Sequence, residues 1–337
     1  MKILIYILLF TSFKVIGQFS GPHYFDDPSG NTREYFLYVP ENLPQLSPLV
    51  YSLHSWGDSG LSMSSYGSFN DLAEIHKFLV CYPTALIDGD GGSSGWTSWN
   101  TSGMSDVDFI MALNQELINE YDIDENKVFS TGFSYGAEMS HHLARCQNTN
   151  VFLAIAPVGG AIFDYMDVCS PTIKTSVFIL HGTNDNTIYY DGGYFEGYGP
   201  YISASDASSS WVNFNSCVPY ESYIIPNSTG TSGSIEVDKY VNIDDNIHVW
   251  FYSIIDFDHY WPTTNNSQID ASEEIWSFFL NVMDEQNLSI PEIDNENIIL
   301  KKVTNILGQE VNPENQFSGN LLFYIYDNLT VEKKIVK

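Results

Sequence analysis

The chain has 337 residues, room for one large or two modest domains, and its 44% hydrophobic and 15% aromatic content excludes a disordered chain. It carries 13 Lys and Arg against 42 Asp and Glu, a net charge of −29, and such a surface repels nucleic acid and anionic membranes. A neutral small molecule or polymer surface fits that charge, which also serves solubility in a salty medium.

The chain opens with Met1, Lys2 and the apolar run ILIYILLF, followed by small and polar residues up to Gly17-Gln18. One positive charge, a short apolar stretch and a small-residue exit read as a secretory signal over residues 1–17. The run is too short to span a bilayer, which takes about 20 residues, and no later segment is long and apolar enough. Export makes disulfides the expectation for the four cysteines, Cys81, Cys146, Cys169 and Cys217, with three pairings open. Cys81, inside an apolar run, also reads as a buried thiol. No C-x-x-C pattern or His-Cys cluster occurs, so no zinc site is expected.

Alternating β-formers predict a strand at 32–39 (TREYFLYV), and a more uniformly apolar run predicts one buried on both faces at 48–54 (PLVYSLH). A loop of mostly small residues follows, Ser55-Trp56-Gly57-Asp58-Ser59-Gly60. Leu72, Ile75 and Phe78 give helical spacing over 71–78, and a strand follows at 79–83. Residues 88–105 form a Gly/Ser/Trp loop with Trp96 and Trp99. An amphipathic helix covers 106–121, and a short strand at 128–131 runs into a sharp turn and a helix ending near Cys146. Strands at 152–158, 175–181 and 248–254 and helices at 204–214 and 267–280 complete the alternation. The pattern predicts the α/β class, a mostly parallel sheet with helices on both faces and a site at the strands' carboxyl ends. Residues 18–283 form this domain. The polar, acidic stretch 284–297 reads as a linker, and short alternating runs at 299–304, 321–326 and 331–336 predict a small β module over 298–337.

The turn Gly132-Phe133-Ser134-Tyr135-Gly136 sits between strand and helix. Flanking glycines let the backbone turn tightly, so the serine hydroxyl stands exposed at the strand end. The following helix aims its N–H groups where an oxyanion would form. A nucleophilic serine needs a base, and the base an orienting carboxylate. Asp185 follows the 175–181 strand and His259 follows the 248–254 strand, and the order Ser134, Asp185, His259 is that of α/β-hydrolases. Asp191 is the chief rival for the acid. Asp256 and Asp258 lie too near His259 in sequence to orient it. His54 and His181 end strands and read as loop-fixing residues. His141 and His142 belong to the elbow helix, while His23, His76 and His248 have no partner pattern. The oxyanion donors are expected to be the Tyr135 and Trp56 backbone N–H groups. Trp96, Trp99, Tyr260 and Trp261 fall on strand-end loops and are expected to contact substrate, although aromatics there also pack beneath loops. Residues 188–201 are expected to shape one side of an open site without a lid domain.

Several segments resemble the extracellular polyhydroxybutyrate-depolymerase-like and feruloyl-esterase-like α/β-hydrolases. They are Arg33-Glu34-Tyr35-Phe36-Leu37-Tyr38-Val39-Pro40, the apolar strand ending at His54, Asp106-Val107-Asp108-Phe109-Ile110, and the Ser134 elbow. Further on come His181-Gly182-Thr183-Asn184-Asp185 with Gly192-Gly193, Asn215-Ser216-Cys217, and His259-Tyr260-Trp261-Pro262. Together they cover most of residues 30–280. The resemblance implies a serine esterase with Ser134, Asp185 and His259 as its triad and no metal or organic cofactor. His54-Ser55 stands where that family usually has His-Gly, Gly136-Ala137 where it often has Gly-Gly, and Tyr189 where it often has Pro. The tail, with Ile299 to Val311, Phe323-Tyr324-Ile325-Tyr326-Asp327 and Thr330-Val331-Glu332-Lys333-Lys334, is similar to the C-terminal sorting domain of the type IX secretion system of Bacteroidota. That implies a bacterial protein passed through the outer membrane to the medium or cell surface by that machinery.

The expected activity is hydrolysis of a carboxylic ester, first a feruloyl or acetyl ester on polysaccharide, second a hydroxyalkanoate or aromatic polyester. A peptidase of the prolyl-oligopeptidase kind would need a propeller domain for which the chain has no room. A non-catalytic surface binding protein on the same fold is the alternative of a different class.

Overall fold

The computed structural model describes residues 17–87, 94–96, 106–147, 149–164, 169–228, 230, 233–286, 300–305, 311–312, 321–326 and 331–335. The chain divides into two compact units, Met1–Gln286 and Asn287–Lys337.

The first unit contains β1 (Gln18–Asp26), β2 (Thr32–Val39), β3 (Ser47–Leu53), α1 (Gly60–Tyr66), α2 (Phe69–His76), β4 (Leu79–Thr84), α3 (Asp106–Tyr121), β5 (Ile123–Phe133) and α4 (Tyr135–Cys146). It continues with β6 (Ala154–Val158), β7 (Ser176–Gly182), β8 (Gly193–Phe195), β9 (Gly199–Tyr201), α5 (Ala204–Asn215), β10 (Val218–Ile225), β11 (Ile235–Asn242), β12 (Ile247–Ile254) and α6 (Ala271–Gln286). Ten strands make one sheet in the order β1-β2-β4-β3-β5-β6-β7-β12-β11-β10. The six central strands from β4 to β12 run parallel. The β1-β2 pair and the β10-β11 pair close the two edges antiparallel. A strand covered by helices on both sides needs apolar residues at every position, and β6, β7 and β12 are buried along their whole length.

The strand period of two splits the core into two layers. Tyr51, Val128, Ile155, Ile179 and Phe251 face α3, α4 and α5, where they meet Phe109, Met139, Leu143 and Trp211. Their neighbours Val50, Phe129, Ala154, Phe178 and Tyr252 face Met63, Phe69, Phe278 and Phe279 of α1, α2 and α6. Arg33 is fully buried, pairs with Asp27 at 3.2 Å and with Asp106, and lies 4.0 Å from the Phe109 ring centroid. Its charge is therefore matched inside the core, and it pins the β1-β2 hairpin to the start of α3.

The second unit holds β13 (Leu300–Asn305), β14 (Leu321–Tyr326) and β15 (Val331–Ile335), an antiparallel sheet in that order. These strands lie on the alternating runs of the tail. Helix α6 runs to Gln286, so helix replaces the predicted linker over 284–286. Cys146 and Cys169 form a disulfide, while Cys81 and Cys217 are free and buried, so the even cysteine count overstated the bridges. No helix among the described residues is long and apolar enough to cross a membrane. Residues 1–16 of the predicted signal lie outside the described residues.

Candidate active site

Ser134 sits between β5 and α4 with φ 54° and ψ −116°. A side chain rarely adopts this left-handed backbone, and the surroundings hold it there. The Ser134 N–H donates to the Val158 carbonyl at 2.9 Å, and its own carbonyl accepts from the Ala137 and Glu138 N–H groups at 2.9 and 3.1 Å. The two glycines are sterically required. A Cβ on Gly136 would lie 2.1 Å from the Leu53 carbonyl oxygen, and one on Gly132 would lie 2.5 Å from the Gly136 backbone.

Two strands away, β7 ends and the chain turns through Asp185, whose carboxylate is buried. Asp185 Oδ1 accepts from the Thr187 and Ile188 N–H groups at 2.9 and 2.8 Å. Its Oδ2 lies 2.7 Å from His259 Nδ1 and 3.4 Å from His181 Nε2. Burial alone would raise the pKa of this carboxyl. The hydrogen bonds from His181 and His259 outweigh it and hold the group well below the usual carboxylate range. His181 Nε2 also donates to the Ile188 carbonyl at 2.9 Å, so this histidine props the loop of Asp185, as expected of a loop-fixing residue.

His259 lies on the loop after β12, next to β7 in the sheet. Asp258 is the clamp of this loop. It accepts from the His259 N–H at 2.7 Å, the Asn186 N–H at 3.1 Å and the Asn186 side-chain amide at 2.8 Å. The loops carrying Asp185 and His259 are thus joined by a second carboxylate, which spacing in sequence excluded only as the orienting acid. The rival Asp191 is exposed. The His259 ring packs on Phe133, with centroids 4.8 Å apart. With Nδ1 held by Asp185, Nε2 is the nitrogen left for the cavity His259 shares with Ser134.

That cavity, of about 340 Å³, is bounded on one side by Ser55, Trp56 and Tyr135. His54 fixes the Ser55-Trp56 loop. Its Nδ1 donates to the Ser55 carbonyl at 2.6 Å, and its Nε2 accepts from the Ala85 N–H at 2.9 Å. Burial lowers the His54 pKa to about 4, so the ring is neutral at ordinary pH and can keep both bonds. Phe163, Ile188, Phe195 and Tyr198 supply an apolar wall, with Glu138 among the lining residues. Sequence reasoning named none of these individually, but Ile188, Phe195 and Tyr198 fall in the stretch 188–201 expected to shape one side of the site. The Tyr/Gly-rich stretch 188–201 was the signal, and it forms the β8-β9 hairpin that carries Phe195 and Tyr198. Ser134 is 8% exposed at this cavity.

The other predicted contacts divide. Trp96 is 0% exposed, and its indole N–H donates to the His54 carbonyl at 2.9 Å. It supports the loop from inside, and its full burial corrects the expectation that it contacts substrate. Tyr260 and Trp261 line a neighbouring cleft. Trp261 is buried there, with its indole N–H on the Ser272 hydroxyl at 3.3 Å. Trp99 lies outside the described residues. Among the described residues, the group of His, Cys, Asp or Glu close enough to hold a metal ion is His142, Cys146 and Cys169. Both of its sulfurs are committed to the disulfide.

No family model matches the chain. Its sequence is 31% identical over 162 residues to the bifunctional acetylxylan esterase/xylanase XynS20E of Neocallimastix patriciarum, covering 48% of this chain and 22% of that protein. It is 30% identical over 171 residues to the probable feruloyl esterase C of Aspergillus niger, covering 48% and 58%. It is 27% identical over 210 residues to the feruloyl esterase C of Emericella nidulans, covering 62% and 70%. The chain thus spans 22% and 58% of the length of the first two relatives. Among solved structures, the acetyl xylan esterase from Aspergillus awamori matches with a TM-score of 0.54 at 15% identity, covering 79% of this chain and 99% of that one. An S-formylglutathione hydrolase from Agrobacterium tumefaciens matches with a TM-score of 0.52 at 10% identity, covering 80% and 99%. The chain has the α/β-hydrolase fold, and proteins named as feruloyl and acetylxylan esterases are among its sequence relatives.

Proposed function

We propose that the chain is an exported serine carboxylesterase with Ser134 as nucleophile, His259 as general base and Asp185 as the orienting acid. The observation that carries this reading is the 2.7 Å His259–Asp185 contact beside a strained Ser134 at the rim of one apolar cavity. The Ser134 hydroxyl oxygen attacks the ester carbonyl while His259 Nε2 takes its proton. The Trp56 and Tyr135 backbone N–H groups stabilise the resulting oxyanion, an interaction worth about 3–4 kcal/mol per donor in the transition state. Collapse breaks the ester C–O bond, and the alcohol leaves with the proton from His259. Water, deprotonated by the same base, then attacks the acyl-serine and releases the acid. The chemistry assigned to these residues calls for no cofactor.

The cavity falls within the size range of small-molecule sites, about 300–1,000 Å³. Its aromatic wall suits a flat acyl group, so a feruloyl ester on polysaccharide is the preferred substrate, consistent with the names of the sequence relatives. The exposed aromatics Trp56, Tyr194 and Tyr260 favour a second reading, in which a polyester such as polyhydroxybutyrate is gripped at its surface. The apolar leader and the small β13-β14-β15 sheet support export through the type IX route.

Hydrolysis of nitrophenyl acetate, methyl ferulate and a hydroxybutyrate film, compared with Ser134→Ala, tests the reading. The expected result is turnover of methyl ferulate that falls by about 10³-fold or more in the variant. Film erosion without ferulate turnover would select the polyester. Folded protein inert on all three would favour a binding protein.

A further inference from the structure

A second cleft, of about 480 Å³, adjoins the Ser134 cavity, and Ser55 and Trp56 belong to both. The loop fixed by His54 thus borders two chambers of different lining. The floor of the cleft is three rings in mutual tilted or edge-on contact. Tyr66 and Phe133 have centroids 6.3 Å apart, Tyr66 and Trp261 6.4 Å, and Phe133 and Trp261 6.4 Å. Interlocked rings of this kind keep a concave shape without a ligand. Phe133 also carries the His259 ring, so the floor borders the residue that must hand a proton to the departing alcohol.

The rim and walls specify a ligand. Trp56 is 55% exposed and Tyr260 61% exposed, two flat apolar surfaces left in water at the mouth. Asp58, Thr263 and Asn266 add polar groups to a largely aromatic cleft, and among the described residues no Lys, Arg or His lines it. Asn266 is locked in place, accepting from the Thr263 N–H at 2.7 Å and donating to the Trp261 carbonyl at 3.1 Å. Asp58 Oδ1 accepts from the Ser59 N–H at 3.1 Å, and a purely apolar group would strip the water from the remaining acceptor sites of that carboxylate. An anionic group would meet that carboxylate and a chain of net charge −29. A sugar ring satisfies both surfaces, laying its C–H face on the aromatics and giving its hydroxyl protons to the carboxylate.

The geometry points to a glycosyl subsite: the cleft between Trp56 and Tyr260 binds the neutral saccharide that carries the ester, while the acyl group occupies the Ser134 cavity. This rests on the esterase reading and adds which side of the ester bond each chamber takes.

Steady-state kinetics on methyl ferulate and on a feruloylated neutral arabinoxylan oligosaccharide test it, using the full chain and its Asp58→Asn and Tyr260→Ala variants. Two contacts of about 1 kcal/mol each correspond to roughly thirtyfold. The wild type should therefore favour the oligosaccharide by about thirtyfold in kcat/KM, carried by KM, and each variant should lower that preference about fivefold. Both side chains sit at the surface or rim, so neither variant depends on rebuilding the core. Equal KM values for the two substrates in the wild type would overturn the subsite and leave the esterase reading standing. So would a preference unchanged in both variants, or a uronate-linked ferulate preferred to the neutral one. If neither ester is turned over, the esterase reading fails and the subsite falls with it.

Discussion

At Ser134 a backbone angle that costs a non-glycine residue about 1–3 kcal/mol is held by three backbone hydrogen bonds. That strain presents the hydroxyl at the cavity wall. Asp185 shows the complementary economy, since each carboxylate oxygen is matched to fixed donors, two amides on one and His259 with His181 on the other. Its charge contributes stability above the ordinary value of 3.8, and that stability is lost as pH falls beyond it. His54 acts in a higher window. Its folded pKa of about 4 lies below the ordinary 6.5. Between those values the unfolded chain binds a proton that the folded chain refuses, so stability rises with pH across the window. The difference is worth on the order of 3 kcal/mol. Denaturant unfolding at pH 7.5 and pH 4 should show the wild type losing about that much more stability than His54→Asn, whose residue 54 does not titrate. Parallel pH curves for the two proteins would contradict this account of the loop.

At the scale of elements, the site is four sheet positions. Strand β5 delivers Ser134, β7 Asp185, β12 His259, and β3 the Ser55-Trp56 loop, all at carboxyl ends. The elbow leaves no slack, because α4 starts against the Leu53 backbone. Gly136→Ala puts a methyl group 2.1 Å from the Leu53 oxygen and forces the helix start away from β3. The expected cost is about 1–3 kcal/mol of stability together with most of the activity. A wild-type urea midpoint with full turnover would show that the helix start can move freely. Helix α3 was legible to the residue, because its apolar positions recur at helical spacing between clear boundaries. Strand β10 was not, because it is an exposed edge strand whose sequence VPYESYII has no buried face to impose alternation. Helix α1 was missed because its Ser-rich sequence GLSMSSY buries little and depends on the Ser59 cap.

Across the whole molecule, the parallel centre of the sheet was readable from uniformly apolar runs, since burial on both faces admits nothing else. The reach of single residues across the sheet was not. Nothing in the local sequence says that Trp96 turns inward to the His54 carbonyl or that Asp258 joins the loops of Asp185 and His259. Both depend on which strand ends become neighbours, a property of topology rather than of pattern. The same holds for the apolar cavity, whose wall comes from a hairpin recognisable in sequence only as a stretch rich in Tyr and Gly. The most direct test of the central claim is to catch the acyl group on the serine. Rapid mixing with nitrophenyl acetate, followed by acid quench and peptide mass measurement, should show a burst of nitrophenol. It should also show one acetyl group on the peptide containing Ser134, and none in Ser134→Ala. Turnover without such an adduct, or an adduct on another residue, would contradict the account.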